Sequence, residues 1–373
     1  MKIALLTHSV HPRGGVVHTL ELARALHEAG HEVVVFVPAA PGQRLFRATP
    51  HRVELVPVEA APPDVPAMVR QRIAAFVRHI AALPDRASFE LWHAQDSLGG
   101  NALAELEDRG LVDGFVRTVH HLDRFDDARL RAWQQRAVER ARRVFCVSAL
   151  WQRVLREADG VDAARVPNGV DLQRFRPQPE PGDAEVVRRL GLEPGAPLWL
   201  MVGGVEERKN TLRAFEAFVL HRARHPNAQL VIAGGASLLD HDAYQARFRA
   251  AVAATGVKPV LTGALPDPAL PALMRAADGL LMPSLREGFG LVALEALACG
   301  APVVVSRQAP FTEYLGEHDA AWADPHDAVS IAAAMDHALA RPPHGVPEVC
   351  RRHGWAASAE RHLALYRELL ATA

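Results

Sequence analysis

The chain has 373 residues, 49 % of them hydrophobic and 23 % charged, with a formal net charge of −1. That length suits two globular domains, and the near-neutral balance excludes the basic excess of a nucleic-acid binder. Three scattered cysteines, Cys146, Cys299 and Cys350, form no CxxC pair, so neither a disulfide framework nor a zinc site is indicated.

The N-terminal MKIALLTHSV carries an apolar run too short for a signal peptide and reads as a first buried strand. No stretch approaches the roughly 20 apolar residues of a membrane span. The expected setting is a reduced cytoplasm, with transient contact at a membrane surface left open. GVVHTLELARALHEAG follows, with Val16, Leu20, Ala23 and Leu26 at helical spacing and Gly30 as its stop. HEVVVFV, VELVPV, FELWHA, FVRTVH and RVFCVS read as later strands, with helical stretches such as MVRQRIAAFVRHIAAL and LRAWQQRAVERARR between them. RFRPQPEPGDAE, residues 174 to 185, has three prolines and a glycine among polar residues and reads as a linker.

Beyond it the pattern restarts with LWLMVGG, a helix from Thr211, QLVIAGG, PVLTG, GLLMPS and PVVVS, and ends on the amphipathic AASAERHLALYRELL. Strands alternating with helices imply parallel sheets covered on both faces. The expected fold is α/β, with two facing Rossmann-like domains over residues 1–178 and 186–355. Ligands of open parallel sheets lie beyond the carboxyl ends of the strands, which makes a cleft between the domains the default site.

Three stretches carry chemistry. In HSVHPRGGVVHTL, Gly14 and Gly15 stand between a strand and a helix, where backbone amides at the positive helix end suit a phosphate. A tight strand–helix turn explains the same residues equally well, and the pattern is not GxGxxG. In VGGVEERKN, the turn at Gly204 leads to Arg208 and Lys209. Only three of the chain's 42 basic side chains are lysines, so a lysine kept here stands out. A planar fork beside a compact point charge can clamp a diphosphate and neutralise charge on a leaving phosphate; a solvated surface pair is the commoner fate of Arg-Lys.

The third stretch is LREGFGLVALEALACGAPVVVS. Glu287 lies in a loop after a strand, Gly288 and Gly290 flank Phe289, and a helix begins near Leu291 whose only charge is Glu295. A lone carboxylate on a buried helix is costly unless bonded. It sits roughly 7 Å along the axis from Gly290. Glu287, the helix-start amides and Glu295 could therefore line one ligand about as long as a nucleotide sugar. Asp240-His241-Asp242 has a DxD look, but aspartate is also a common helix cap. His8, His18 and His93 read as loop or strand-end residues.

The chain resembles the retaining nucleotide-sugar glycosyltransferases of the GT-B fold, specifically family 4 (group 1). Glu287 and Glu295 match the E-x7-E signature. TVHH at His120, FCVSALW at Ser148, VPNGVD at 166–171, Gly14-Gly15 and VGGVEERKN follow in the family's order. THSVHPRGGVVHTLELA also resembles a subgroup found in nitrilase-associated gene clusters. The resemblance implies that Arg208 and Lys209 bind the donor diphosphate. It gives Glu287 the donor-sugar hydroxyls, Glu295 the ribose, and the amides at Phe289, Gly290 and Leu291 the sugar and phosphate. The Gly15 amide would touch the diphosphate, and His120 would lie near C1 of the donor sugar.

The resemblance also implies that helix 356–373 crosses back onto the first domain. The implied substrates are a nucleotide-sugar donor and a hydroxyl acceptor, with no cofactor and no metal. Two departures stand out: His121 where the family often has Asp, and RQAPFTEY where it usually has Gly-Gly before a Glu. A nucleotide-sugar epimerase or a non-catalytic nucleotide-sugar binder of the same fold are the alternatives, and a dehydrogenase ranks last.

Overall fold

The strand EVVVFVPA is buried at every position after its first, as a strand covered on both faces requires. In this computed structural model, which describes residues 1–235, 241–341 and 345–372, that pattern recurs through two parallel sheets. The first contains β1 (Lys2–Leu6), β2 (Glu32–Ala39), β3 (Arg52–Pro57), β4 (Leu91–Ala94), β5 (Val116–Val119), β6 (Arg143–Cys146) and β7 (Ala164–Arg165), in the order β3-β2-β1-β4-β5-β6-β7. The second contains β8 (Leu198–Val202), β9 (Gln229–Ala233), β10 (Val260–Gly263), β11 (Gly279–Met282), β12 (Val303–Ser306) and β13 (Ala321–Ala323), in the order β10-β9-β8-β11-β12-β13.

Each sheet is wound outward from its middle in both directions. The reversal falls between β1 and β4 in the first sheet and between β8 and β11 in the second. Such a switch point opens a crevice at the carboxyl ends of the two strands, where doubly wound sheets take their ligands.

The chain divides into two compact units, Met1–Asn168 with Trp355–Ala373, and Gly169–Gly354. Each has its own core: Phe36, Phe76, Trp92 and Phe115 in the first, and Trp199, Phe215, Phe218 and Met335 in the second. The helix Trp355–Ala371 returns to the first unit, where the wholly buried Tyr366 hydroxyl lies 2.7 Å from His93 Nδ1.

The boundary differs from the proline-rich segment expected to be a linker. Residues 169–185 belong to the second unit. Phe175 is buried there, Arg174 reaches Asp267 at 2.6 Å, and Asp183 receives two hydrogen bonds from Arg275. The prolines prevent regular structure, but these contacts tie the segment down. All three cysteines are free and buried. Among the described residues, no helix is long and apolar enough to cross a membrane.

Candidate functional site

At the second switch point, the loop after β8 begins at Gly203 (φ 137°) and ends at Asn210, the one non-glycine residue with positive φ among the described residues (60°). Asparagine tolerates this left-handed conformation better than most residues. Its side-chain amide uses the placement to donate to the carbonyls of Pro283 (2.9 Å) and Pro325 (2.6 Å). One residue earlier, the Arg208 carbonyl accepts from the amide of Leu285 at 2.9 Å. The loops after β8 and β11 are thus stitched together through backbone and a buried amide.

This places charges 78 and 79 positions apart in direct contact. Lys209 Nζ donates to Glu287 Oε1 at 2.6 Å, and Arg208 Nη1 to Glu287 Oε2 at 3.4 Å. Arg208 also reaches Glu206 at 3.5 Å. Glu287 is only 7 % exposed. Burial works to raise its carboxyl, but Lys209 and Arg208 outweigh burial and hold it down to about 2. Gly203, Gly204, Lys209, Thr211 and Ser284 line a small cavity beside these groups.

Gly288 is half-buried. Phe289 stacks on Tyr314, with centroids 4.6 Å apart and planes within 6°. Gly290 (φ 93°) ends the loop, and a side chain there would meet Phe311 at 2.6 Å. The Tyr314 hydroxyl donates to the Gly290 carbonyl at 3.3 Å. The departing segment RQAPFTEY therefore supplies the aromatic wall that fixes this loop. The helix Leu291–Ala298 starts at the expected residue, and no side chain caps its first turn. Phe289 and Leu291 are buried, which leaves mainly their backbone to meet a ligand. Glu295 lies within this helix at 8 % exposure.

In the first unit, Gly14 opens the helix Gly14–Glu28, again with no side-chain cap. A methyl group on Gly14 would meet nothing within 4 Å, and one on Gly15 would meet the His120 ring at 3.4 Å, an ordinary contact. Packing does not demand either glycine. His120 follows β5, its Nε2 lies 3.1 Å from Gln95 Oε1, and its ring meets His18 edge-on at 4.5 Å. Burial first, then His18, Arg117, His121 and His93, push His120 well below the usual imidazole range, so it is neutral.

His18 and His93 correct the loop and strand-end reading. His18 is inside the first helix, fully buried, with Nδ1 2.8 Å from Asn168 Oδ1. His93 lies within β4, fully buried between Tyr366 and Thr118, each at 2.7 Å. Gln95 continues this network to His120. Neither Gln95 nor Asn210 announces itself in the sequence, since both act through partners far along the chain. Ser148 caps the helix Ala149–Asp159, accepting from the Trp151 amide.

Asp240 lies outside the described residues. His241 occupies the cap position of the helix Asp242–Thr255, without a side-chain cap bond. His221, His225 and Asp336 offer ligand atoms within 4.8 Å of one another. They do not form a metal centre as they stand. Trp199 Nε1 donates to His221 Nε2 at 3.0 Å, so the His221 proton is on Nδ1, where Asp336 accepts it at 2.7 Å.

Comparison with known proteins agrees with this architecture. Residues 183–357 match the model for "Glycosyl transferases group 1", and residues 12–174 that for "Glycosyltransferase Family 4". A D-inositol 3-phosphate glycosyltransferase from Acidothermus cellulolyticus is 30 % identical, covering 96 % of this chain and 86 % of its own. A GDP-mannose-dependent alpha-(1-6)-phosphatidylinositol dimannoside mannosyltransferase from Mycobacterium tuberculosis is 28 % identical, covering 98 % and 95 %. Among solved structures, the sucrose-phosphate synthase of Thermosynechococcus elongatus superposes over 100 % of both chains with a TM-score of 0.77 at 24 % identity. Anabaena HepE, crystallised with UDP and glucose, covers 99 % of both with a TM-score of 0.75 at 17 % identity. The chain is a family 4 (group 1) glycosyltransferase with the two Rossmann-like domains of the GT-B fold.

Proposed function

We propose that the chain moves a glycosyl group from a nucleotide-diphosphate sugar to an acceptor hydroxyl, with retention of anomeric configuration and without a metal ion. The observation that carries this reading is the contact of Lys209 and Arg208 with the buried Glu287. Two cations at a switch point, beside a small cavity and an uncapped helix start, make a site for a diphosphate. The pair can neutralise the charge that builds on the leaving phosphate, a task a divalent cation performs elsewhere. Glu287, kept ionised, accepts hydrogen bonds from donor-sugar hydroxyls, and Glu295 from the ribose. The backbone at Phe289, Gly290 and Leu291 holds sugar and phosphate, and the Gly15 amide adds a donor to the diphosphate.

In the transfer, the bond from C1 to the phosphate oxygen breaks and the bond from C1 to the acceptor oxygen forms on the same face. The acceptor proton passes to the leaving phosphate, so the products are a nucleoside diphosphate and a glycoside. Neutral His120 cannot repel a sugar developing positive charge at C1, and it keeps a ring nitrogen able to accept from a hydroxyl. Glu287 and Glu295 are therefore not the acid and base of a hydrolase.

The test is thermal stability against UDP, GDP, ADP and dTDP, with and without Mg²⁺, for the wild type and Lys209→Ala. A ligand at about 100 times its Kd adds about 2.7 kcal/mol to the folded state. One nucleotide should raise the midpoint without Mg²⁺, and Lys209→Ala should lose most of that rise. A rise that requires Mg²⁺ would end the metal-free reading. A Lys209→Ala response equal to wild type would end the diphosphate clamp.

A further inference from the structure

The loop 284–290, which carries Glu287, is clamped at both ends by the segment 307–314, RQAPFTEY. At its start, Gln308 Nε2 donates to the carbonyls of Ser284 (3.1 Å) and Leu285 (2.9 Å). At its end, the Gly290 carbonyl accepts from the Tyr314 hydroxyl at 3.3 Å and from the Ala293 amide at 3.0 Å. Packing sets the Tyr314 ring: it stacks on Phe289, and its centroid lies 6.5 Å from that of Phe311 and 5.6 Å from that of His353. Gly290 belongs to the same fit, because a side chain there would come within 3.2 Å of the Tyr314 oxygen as well. Burial first, then the charge of Glu287, push the Tyr314 hydroxyl well above its ordinary range, so it keeps its proton to donate. The carbonyl of Gly290 and the amide of Leu291 belong to one peptide group. That group is planar and trans, so the two point in opposite directions. Two donors on the carbonyl therefore fix the direction of the amide. Leu291 is the first residue of its helix, where an amide has no acceptor within the helix, and no side chain caps this turn. The glycine at φ 93° would otherwise leave this peptide free to turn.

We propose that Tyr314 is a positioning residue for the donor: by holding the Gly290 carbonyl, its hydroxyl aims the Leu291 amide at a phosphate of the nucleotide sugar. This rests on the donor reading given above, which supplies the phosphate. Tyr314 acts only through the peptide 290–291. Lys209 and Arg208 bring charge to the diphosphate, whereas a neutral amide brings direction. A donor of that kind is worth most when its orientation is set before the ligand arrives.

The test is calorimetric titration of UDP, GDP, ADP and dTDP into the full chain as wild type, Tyr314→Phe and Tyr244→Phe, with denaturant unfolding of each protein. Tyr314→Phe keeps the ring stack and removes only the hydroxyl. Tyr244→Phe removes a hydroxyl that accepts from the Leu212 amide at 2.8 Å, a single bond at the start of another helix, Thr211–Arg222, in the same domain. The nucleotide that binds the wild type should bind Tyr314→Phe about three- to tenfold more weakly, the scale of one lost hydrogen bond. Tyr244→Phe should bind it as the wild type does, even where the two variants lose similar stability. Wild-type affinity in Tyr314→Phe would overturn the proposal. So would equal weakening in both variants, which would trace the effect to a loosened domain rather than to an aimed amide. If none of the four nucleotides binds the wild type, the donor reading fails and the proposal falls with it. That outcome is distinct from binding that survives Tyr314→Phe, which would leave the donor reading standing and remove Tyr314 alone.

Discussion

The two domains share one topology, yet they treat the charges at their switch points in opposite ways. In the second, Lys209 and Arg208 are held by Glu287, at 2.6 and 3.4 Å, and the carboxylate in turn is kept ionised. In the first, Arg117 is buried with two nitrogens unbonded; the charge of Asp96 acts on it without forming an ion pair, and the histidines nearby, His93 and His120, are neutral. A cluster that already balances its charges can be kept in place without ligand and rearrange around one. A buried cation with no ion pair carries a standing cost in the folded state.

The sharpest way to break the comparison is to remove the balanced cation. Lys209→Ala should lower kcat by about 10²–10³-fold, the scale of losing one preorganised group that stabilises transition-state charge. Initial rates with a nucleotide sugar that supports turnover measure it. A change confined to KM would mean that Lys209 binds donor and transition state equally. Next comes the residue that sets the Lys209 loop. Asn210→Ala loses two buried hydrogen bonds at about 1 kcal/mol each and forces a left-handed alanine at a further cost of about 1 kcal/mol. Asn210→Gly should recover the backbone part. Denaturant unfolding that shows equal losses for both would place the whole effect in the side-chain bonds.

These two residues also mark how far the sequence can be read. Lys209 is visible because lysine is rare in this chain, and Glu287 because it stands in a glycine-flanked loop before an apolar helix. Their contact is not visible, since it depends on Asn210 reaching Pro283 and Pro325 across 73 and 115 positions. The same holds for the fold. Parallel strands such as HEVVVFV are continuous apolar runs and declare themselves. β7, with two residues, and β13, with three, are too short to carry a pattern. The helix Ser97–Asp108 is masked by Gly99 and Gly100, which look like breakers. They are there because a side chain would come within 2.9 Å of Leu6 and 2.7 Å of Ala137. The supposed linker failed for the converse reason: its prolines are genuine, but ion pairs to Asp267 and Arg275 hold it.

Acid should separate the two domains. His18, His93 and His362 are wholly buried in the first, and burial above all lowers all three, His18 to about 3 and His362 to about 4. They stay neutral when folded, while the unfolded chain takes up protons below about 6.5. Stability is therefore lost as pH falls from about 6.5 toward 4, by about 1.4 kcal/mol per pH unit for each histidine that must charge. In the second domain Glu287 is lowered from 4.5 to about 2, so its contribution is intact above 4.5 and is lost as pH falls through 2. Among its described residues the second domain has one such histidine, His221, wholly buried against Trp199 of β8 and lowered by burial first, so hydrogen exchange at pH 7 and 5 should show β4 and β5 losing more protection than β8 and β11. Uniform loss across both sheets would sink this distinction.

The smallest effect tests whether the first domain's neutral network is tuned or merely packed. Gln95 is 2 % exposed, and its oxygen lies 3.1 Å from His120 Nε2. An amide oxygen only accepts, so the proton of neutral His120 is on Nε2 and Nδ1 keeps its lone pair. The amide nitrogen of Gln95 lies 3.2 and 3.4 Å from the two ring nitrogens of His93, which Thr118 and Tyr366 fix in turn. Gln95→Leu keeps most of the volume and removes this choice of tautomer. The loss should be about 1 kcal/mol, or roughly five- to tenfold in kcat. Gln95→Glu should instead draw a proton onto His120 and bring a new acid limb into the pH–rate profile, at a pH where the wild type is flat. If Gln95→Leu matches wild-type kcat and Gln95→Glu leaves the profile unchanged, the network only fills space, and the tautomer of His120 has no part in the transfer.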